Sequence, residues 1–135
     1  MGSILMKRIE LRGKVFSGKS EGKTFLELAW VRRQIKEKVG FIPYPGTLNI
    51  RLFEESVKHR KFLDKVRSIE VCAANGYCNG RLYSVLIENL ECMILFPEIE
   101  EYPKDVVEII SDINLREAFN LEDGDDVTVT IIFLD

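Results

Sequence analysis

Six or seven short β-prone runs, separated by turn residues and never alternating regularly with long helices, limit what this chain can become. Residues 7–17 alternate Ile9, Leu11 and Val15 and read as a strand kinked at Gly13. Residues 24–28, 47–52, 68–72, 81–87, 91–96 and 127–134 read as further strands, the last strongly β-branched. Residues 29–39 read as a helix stopped by Gly40, residues 54–66 as a second, and residues 105–111 and 115–119 as two short ones. Asn79-Gly80, Asn89 and the stretch 120–126 supply turns. A βαβ pattern would demand regular alternation. Its absence predicts a mostly β fold: a small closed or partly closed β-barrel with helical insertions. Such a barrel has a packed interior, so a ligand sits at a mouth or between barrel and loops.

At 135 residues the chain is expected to be one domain, 1–135, with residues 1–6 a cloning remnant or flexible. A net charge of −3 argues against a broad nucleic-acid surface, and no apolar run approaches the ~20 residues of a membrane span. Cys72, Cys78 and Cys92 form no CxxC pair and His59 is the only histidine. A His/Cys zinc set and a Cys–His or Ser–His–Asp nucleophile are thereby excluded. The cysteines read as reduced thiols of a cytoplasmic protein.

Four stretches remain that can carry chemistry. Pro43, Pro45 and Gly46 form a rigid turn ahead of the strand run 47–52. On that run Thr47 and Asn49 share one face while Leu48 and Ile50 take the other. A hydroxyl and an amide oxygen there suit a hard cation such as Mg²⁺, which keeps waters and phosphates around few protein atoms. Thr and Asn after Pro-Gly are also ordinary turn residues. Gly18, Lys19, Ser20, Glu21, Gly22 and Lys23 form a Gly/Lys loop able to approach an anion, although the P-loop spacing fails because position 17 is serine. The plain alternative is a solvated hairpin loop. Glu108 lies among Val106, Val107, Ile109 and Ile110 as a candidate general base, or as the solvent-facing residue of a helix. Arg116 follows Asn114 and Leu115 and can clamp a phosphate, or simply pair with Glu117 or Asp112. Together these parts suit phosphoryl transfer, where positioning, metal and charge do most of the catalysis.

The loop 18–23 with Phe25, the stretch 40–49, and residues 107–110 running into 114–121 resemble the archaeal CTP-dependent riboflavin kinases. The ending 122–129 is similar to the Gly-Asp turn of cradle-loop barrels, the fold of that family. The resemblance runs from about Gly13 to Leu134. It implies a closed six-stranded barrel and Mg²⁺-dependent transfer of the γ-phosphate of CTP to the ribityl 5′-hydroxyl of riboflavin, giving FMN and CDP. It further implies that Gly18 to Lys23 hold the nucleotide together with Ile113, Asn114, Leu115 and Arg116. Thr47 and Asn49 would bind Mg²⁺, and Glu108 would contact the ribityl end and activate its hydroxyl. Three positions depart from the pattern: Ser20 stands for a common glycine, Asp112 for a proline, and Glu100 for a flavin-contacting threonine. A carboxylate donates no hydrogen bond, so Glu100 is not carried over. Two other readings fit the same barrel: a non-catalytic flavin- or nucleotide-binding module, and the barrel domain of a transcriptional regulator. Some relatives carry an N-terminal winged helix. Nucleic acid and membrane are not expected partners, and protein partners are not specified.

Overall fold

A computed structural model describes residues 6–18, 26–72, 78–98 and 100–134. Seven strands form one antiparallel sheet: β1 (Met6–Val15), β2 (Leu48–Leu52), β3 (Ile69–Cys72), β4 (Cys78–Ile87), β5 (Leu90–Pro97), β6 (Val106–Ile110) and β7 (Asp126–Leu134). Their order is β3-β4-β5-β6-β2-β1-β7, and β4 also pairs with β7 through Leu86↔Thr130 and Ile87↔Val129. That last pairing closes six strands into a barrel and leaves β3 outside as a flap on β4. The helices are α1 (Ala29–Val39), α2 (Glu54–His59) and α3 (Leu115–Ala118), with a 3₁₀ segment at Arg60–Lys65. Among the described residues, no helix is long and apolar enough to cross a membrane.

Strand alternation sorts the apolar residues into two layers. Leu11, Ile50, Ile94, Val107, Ile109, Val129 and Ile131 point inward and fill the barrel. Leu82, Met93, Leu95 and Ile110 point outward and are covered by Val31 and Ile35 of α1. Helix α1 has the predicted bounds. Gly40 closes it at φ 95°, its N–H bonded to the carbonyls of Ile35 and Lys36. The same helix also blunts the free edge of β3. The Gln34 side chain bonds both the N–H and the carbonyl of Cys72, and Lys38 Nζ donates to the Glu70 carbonyl at 2.7 Å.

Four expectations need correction. The helix expected over residues 105–111 is strand β6, because Val-Val-Glu-Ile-Ile is β-branched and all five residues are buried. The strand expected over 24–28 begins outside the described residues; within them Leu26 is helical, and the Leu28 carbonyl accepts from Val31 and Arg32 to open α1. The helix expected over 54–66 breaks after His59 into the 3₁₀ segment, and Val66 is extended. Cys72 is disulfide-bonded, so the reduced-thiol reading fails there and holds for the buried Cys92. The hairpin register that sets Cys72 opposite Cys78 could not be read from composition.

Candidate functional site

Thr47, Asn49 and Glu108 converge on the outer wall of the barrel rather than at its mouth. Leu48 and Ile50 of β2 and Val107 and Ile109 of β6 fill the interior, so the residues between them face out. Asn49 and Glu108 are a directly opposed pair in the β2–β6 ladder. Thr47 Oγ1 lies 2.9 Å from Asn49 Oδ1 and 2.9 Å from Glu108 Oε1. The other Glu108 oxygen, Oε2, accepts from the Tyr102 hydroxyl at 2.6 Å. Glu108 is only 1% exposed, so the reading of it as a solvent-facing helix residue is corrected on both counts. Its neighbour across β5 is Leu95, which makes the carboxylate the polar end of the layer beneath α1.

The donor set suits a hard cation. Two acceptor oxygens, Asn49 Oδ1 and Glu108 Oε1, flank the Thr47 hydroxyl, whose single proton serves one or the other but not both at once. A cation bound between Thr47 Oγ1 and Asn49 Oδ1 would relieve that oxygen–oxygen contact. Among the described residues no cluster of three or more His, Cys, Asp or Glu could hold a metal.

The nucleotide-binding candidates of the second segment adjoin this cluster. A cleft of ≈ 170 Å³ is lined by Tyr44, Gly46, Thr47 and Leu48 on one side and Ile113 to Arg116 on the other. Asn114 caps α3, its Oδ1 accepting from the N–H groups of Arg116 and Glu117, and its Nδ2 reaches the Tyr44 hydroxyl at 3.1 Å. Tyr44 N in turn bonds the Ser111 carbonyl at 2.7 Å, which docks the Pro-Tyr-Pro-Gly turn onto the end of β6.

Arg116 ties that segment to the start of the Gly/Lys loop. Its Nη2 lies 3.1 Å from the Phe16 carbonyl, 3.0 Å from Ser17 Oγ and 2.7 Å from Asp123 Oδ1. Its ion pair is therefore with Asp123, not Glu117 or Asp112, because the turn after α3 brings residue 123 back beneath it. The hydrogen bonds from Arg116 and Ser17 hold the Asp123 carboxyl below its ordinary value. Gly18 follows this junction and is exposed; Lys19, Ser20, Glu21, Gly22 and Lys23 lie outside the described residues. Glu100 is exposed on a turn. Tyr44, Tyr102 and Asp123 escaped the sequence reading, since none belongs to a periodic pattern. A larger hollow of ≈ 630 Å³ lies beside β4 and β5, but among its described lining residues there is no carboxylate and Ser84 is the one hydroxyl.

A closed antiparallel barrel with an outer-wall oxygen cluster, beside a cleft that joins two loops, defines a small cradle-type barrel protein. The chain belongs to the CTP-dependent riboflavin kinase family: the family described as "CTP-dep_RFKase: Domain of unknown function DUF120" matches residues 15–131. It is 39% identical over 127 residues to a protein named riboflavin kinase from Methanosarcina barkeri, covering 91% of this chain and 56% of that one. A riboflavin kinase from Pyrobaculum aerophilum is 40% identical over 131 residues, covering 92% and 61%, and one from Archaeoglobus fulgidus is 37% identical over 128 residues, covering 92% and 55%. The chain thus spans somewhat more than half the length of these relatives.

Proposed function

We propose that this chain transfers the γ-phosphate of CTP to the 5′-hydroxyl of riboflavin, with Mg²⁺, giving FMN and CDP. The observation that carries the reading is the contact among Thr47, Asn49 and Glu108, three residues brought together from two strands and a turn. Thr47 and Asn49 hold the Mg²⁺, which supplies charge neutralisation for the donor phosphates. Ile113 to Arg116 bind the nucleotide together with Gly18 to Lys23, the stretch that follows in sequence the Phe16 and Ser17 contacts of Arg116.

Glu108 is the general base. The acceptor hydroxyl takes the place of Thr47 on Oε1, and Glu108 removes its proton as the oxygen bonds to the γ-phosphorus. The bond to the β,γ-bridging oxygen breaks and CDP leaves with that oxygen. The carboxylate is 1% exposed, so the acceptor hydroxyl reaches it in a site largely covered from bulk water. The reaction is proposed to take place in the cytoplasm.

The test is direct: purified protein with riboflavin, CTP and Mg²⁺ should form FMN and CDP in equal amounts. A non-catalytic binding module would bind the ligands and form neither.

A further inference from the structure

We propose that Tyr102 is a positioning residue for the proton-abstracting carboxylate. The inference rests on the reading of Glu108 as general base. The backbone of Glu108 is fixed by ladders on both sides, to Asn49 and to Leu95, so the carboxylate's remaining freedom is rotation about its side-chain bonds. Two hydroxyls stop that rotation. Thr47 contacts Oε1 and is shared with the metal site, whereas Tyr102 contacts Oε2 from outside the metal set. At 2.6 Å the Tyr102 contact has the length of a charge-assisted O–H···O⁻ bond. When the acceptor hydroxyl displaces Thr47 from Oε1, Tyr102 still holds Oε2 and so helps to keep the carboxylate plane in place.

Tyr102 is held firmly enough to do this although it lies in a loop. Pro103 follows it and restricts its backbone to extended conformations. Arg60 Nη1 lies 3.2 Å from the Pro103 carbonyl and 2.5 Å from that of Lys104. The Arg60 guanidinium rests on the Phe96 ring at 4.3 Å from its centroid, and the Phe96 ring meets Tyr83 edge-on at 5.7 Å. Further along, Leu52 N donates to the Asp105 carbonyl at 2.6 Å, which pins the loop to β2. The tyrosine is thus mounted on the barrel rather than on a free loop.

Losing the hydrogen bond frees the carboxylate to turn, and misplacing a catalytic group by about 1 Å costs ~10²-fold. Tyr102→Phe removes the hydroxyl and keeps the ring. It should lower kcat roughly 10- to 100-fold and leave KM for riboflavin and for CTP within about twofold. In a Glu108→Gln background the same change should cost nothing more, because no base remains to be positioned. The measurement is kcat and KM for wild type, Tyr102→Phe, Glu108→Gln and the double variant, with circular dichroism to show that each folds. Unchanged kcat in Tyr102→Phe, an effect confined to KM, or full additivity in the double variant would overturn the inference while leaving the riboflavin kinase reading intact. Failure of the wild type to form FMN would instead overturn that reading. The Glu108 carboxyl ¹³C resonance, identified by its loss in Glu108→Gln, gives a check independent of turnover: it should move in Tyr102→Phe, and a fixed position would contradict the contact.

Discussion

Two residues show how the same strand geometry produces reactivity in one place and inertness in another. Thr47 immediately precedes β2, with its oxygen directed to Asn49 and Glu108. Thr47→Val preserves the branched shape and removes the oxygen. It should cut Mg²⁺-dependent FMN formation to about 1% or less of wild type while thermal unfolding stays near the wild-type temperature. Wild-type turnover in that variant would remove Thr47 from the metal site. Cys92 sits on β5, two strands from β2, and points into the barrel. Burial pushes its thiol up to about 12, partly offset by a backbone hydrogen bond from Ile87. Buried and held as the thiol at neutral pH, Cys92 should stay unmodified by a thiol reagent in the folded protein and be labelled after denaturation. Rapid labelling without denaturant would contradict the packing described for that wall.

At the scale of elements, the barrel depends on how closely β1 approaches β2, and the site depends on how α3 is anchored. A Cβ on Gly13 would lie 2.2 Å from the Arg51 carbonyl oxygen and 2.8 Å from Ile50 Cγ2. Backbone cannot yield as a flexible side chain can. Gly13→Ala should therefore destabilise the protein by about 1–3 kcal/mol, read as a lowered midpoint in urea. An unchanged midpoint would mean that β1 and β2 separate easily there. The anchor of α3 is the Asp123–Arg116–Ser17 contact, and its pH response follows from the lowered Asp123 value. A carboxyl whose folded value is depressed contributes above its unfolded value and loses that contribution as pH falls through the folded one. The anchor should thus persist through mildly acidic solution and release only below the usual carboxylate range. Following the Arg116 side-chain resonances by NMR while lowering the pH checks this; release at pH 5–6 would contradict it. Asp123 is well exposed, so the effect on global stability is small.

For the molecule as a whole, local pattern and long-range pairing divided what could be read in advance. Helix α1 was legible to its ends because Val31 and Ile35 recur at helical spacing and Gly40 takes the left-handed conformation that stops it. The Thr47–Asn49 pair was legible because a two-residue strand period needs no partner to be recognised. Glu108 was singled out for its apolar neighbours but assigned to a helix. A five-residue run with both faces buried shows no alternation, and only its ladders with β2 and β5 make it a strand. Tyr102, Asp123 and the β4–β7 closure depend on contacts between distant segments, which periodicity does not encode. The outer-wall location of the site followed only once the interior residues of β2 and β6 were assigned.

The account turns on Glu108 taking the proton from a bound hydroxyl, and Glu108→Gln isolates that act because it keeps size and hydrogen-bonding reach but removes basicity. Single-turnover FMN formation with saturating riboflavin, CTP and Mg²⁺ should slow by about 10²–10⁴-fold in this variant, with riboflavin binding little changed. A chemical step as fast as wild type would contradict the account and leave Glu108 as no more than a partner that orients Thr47.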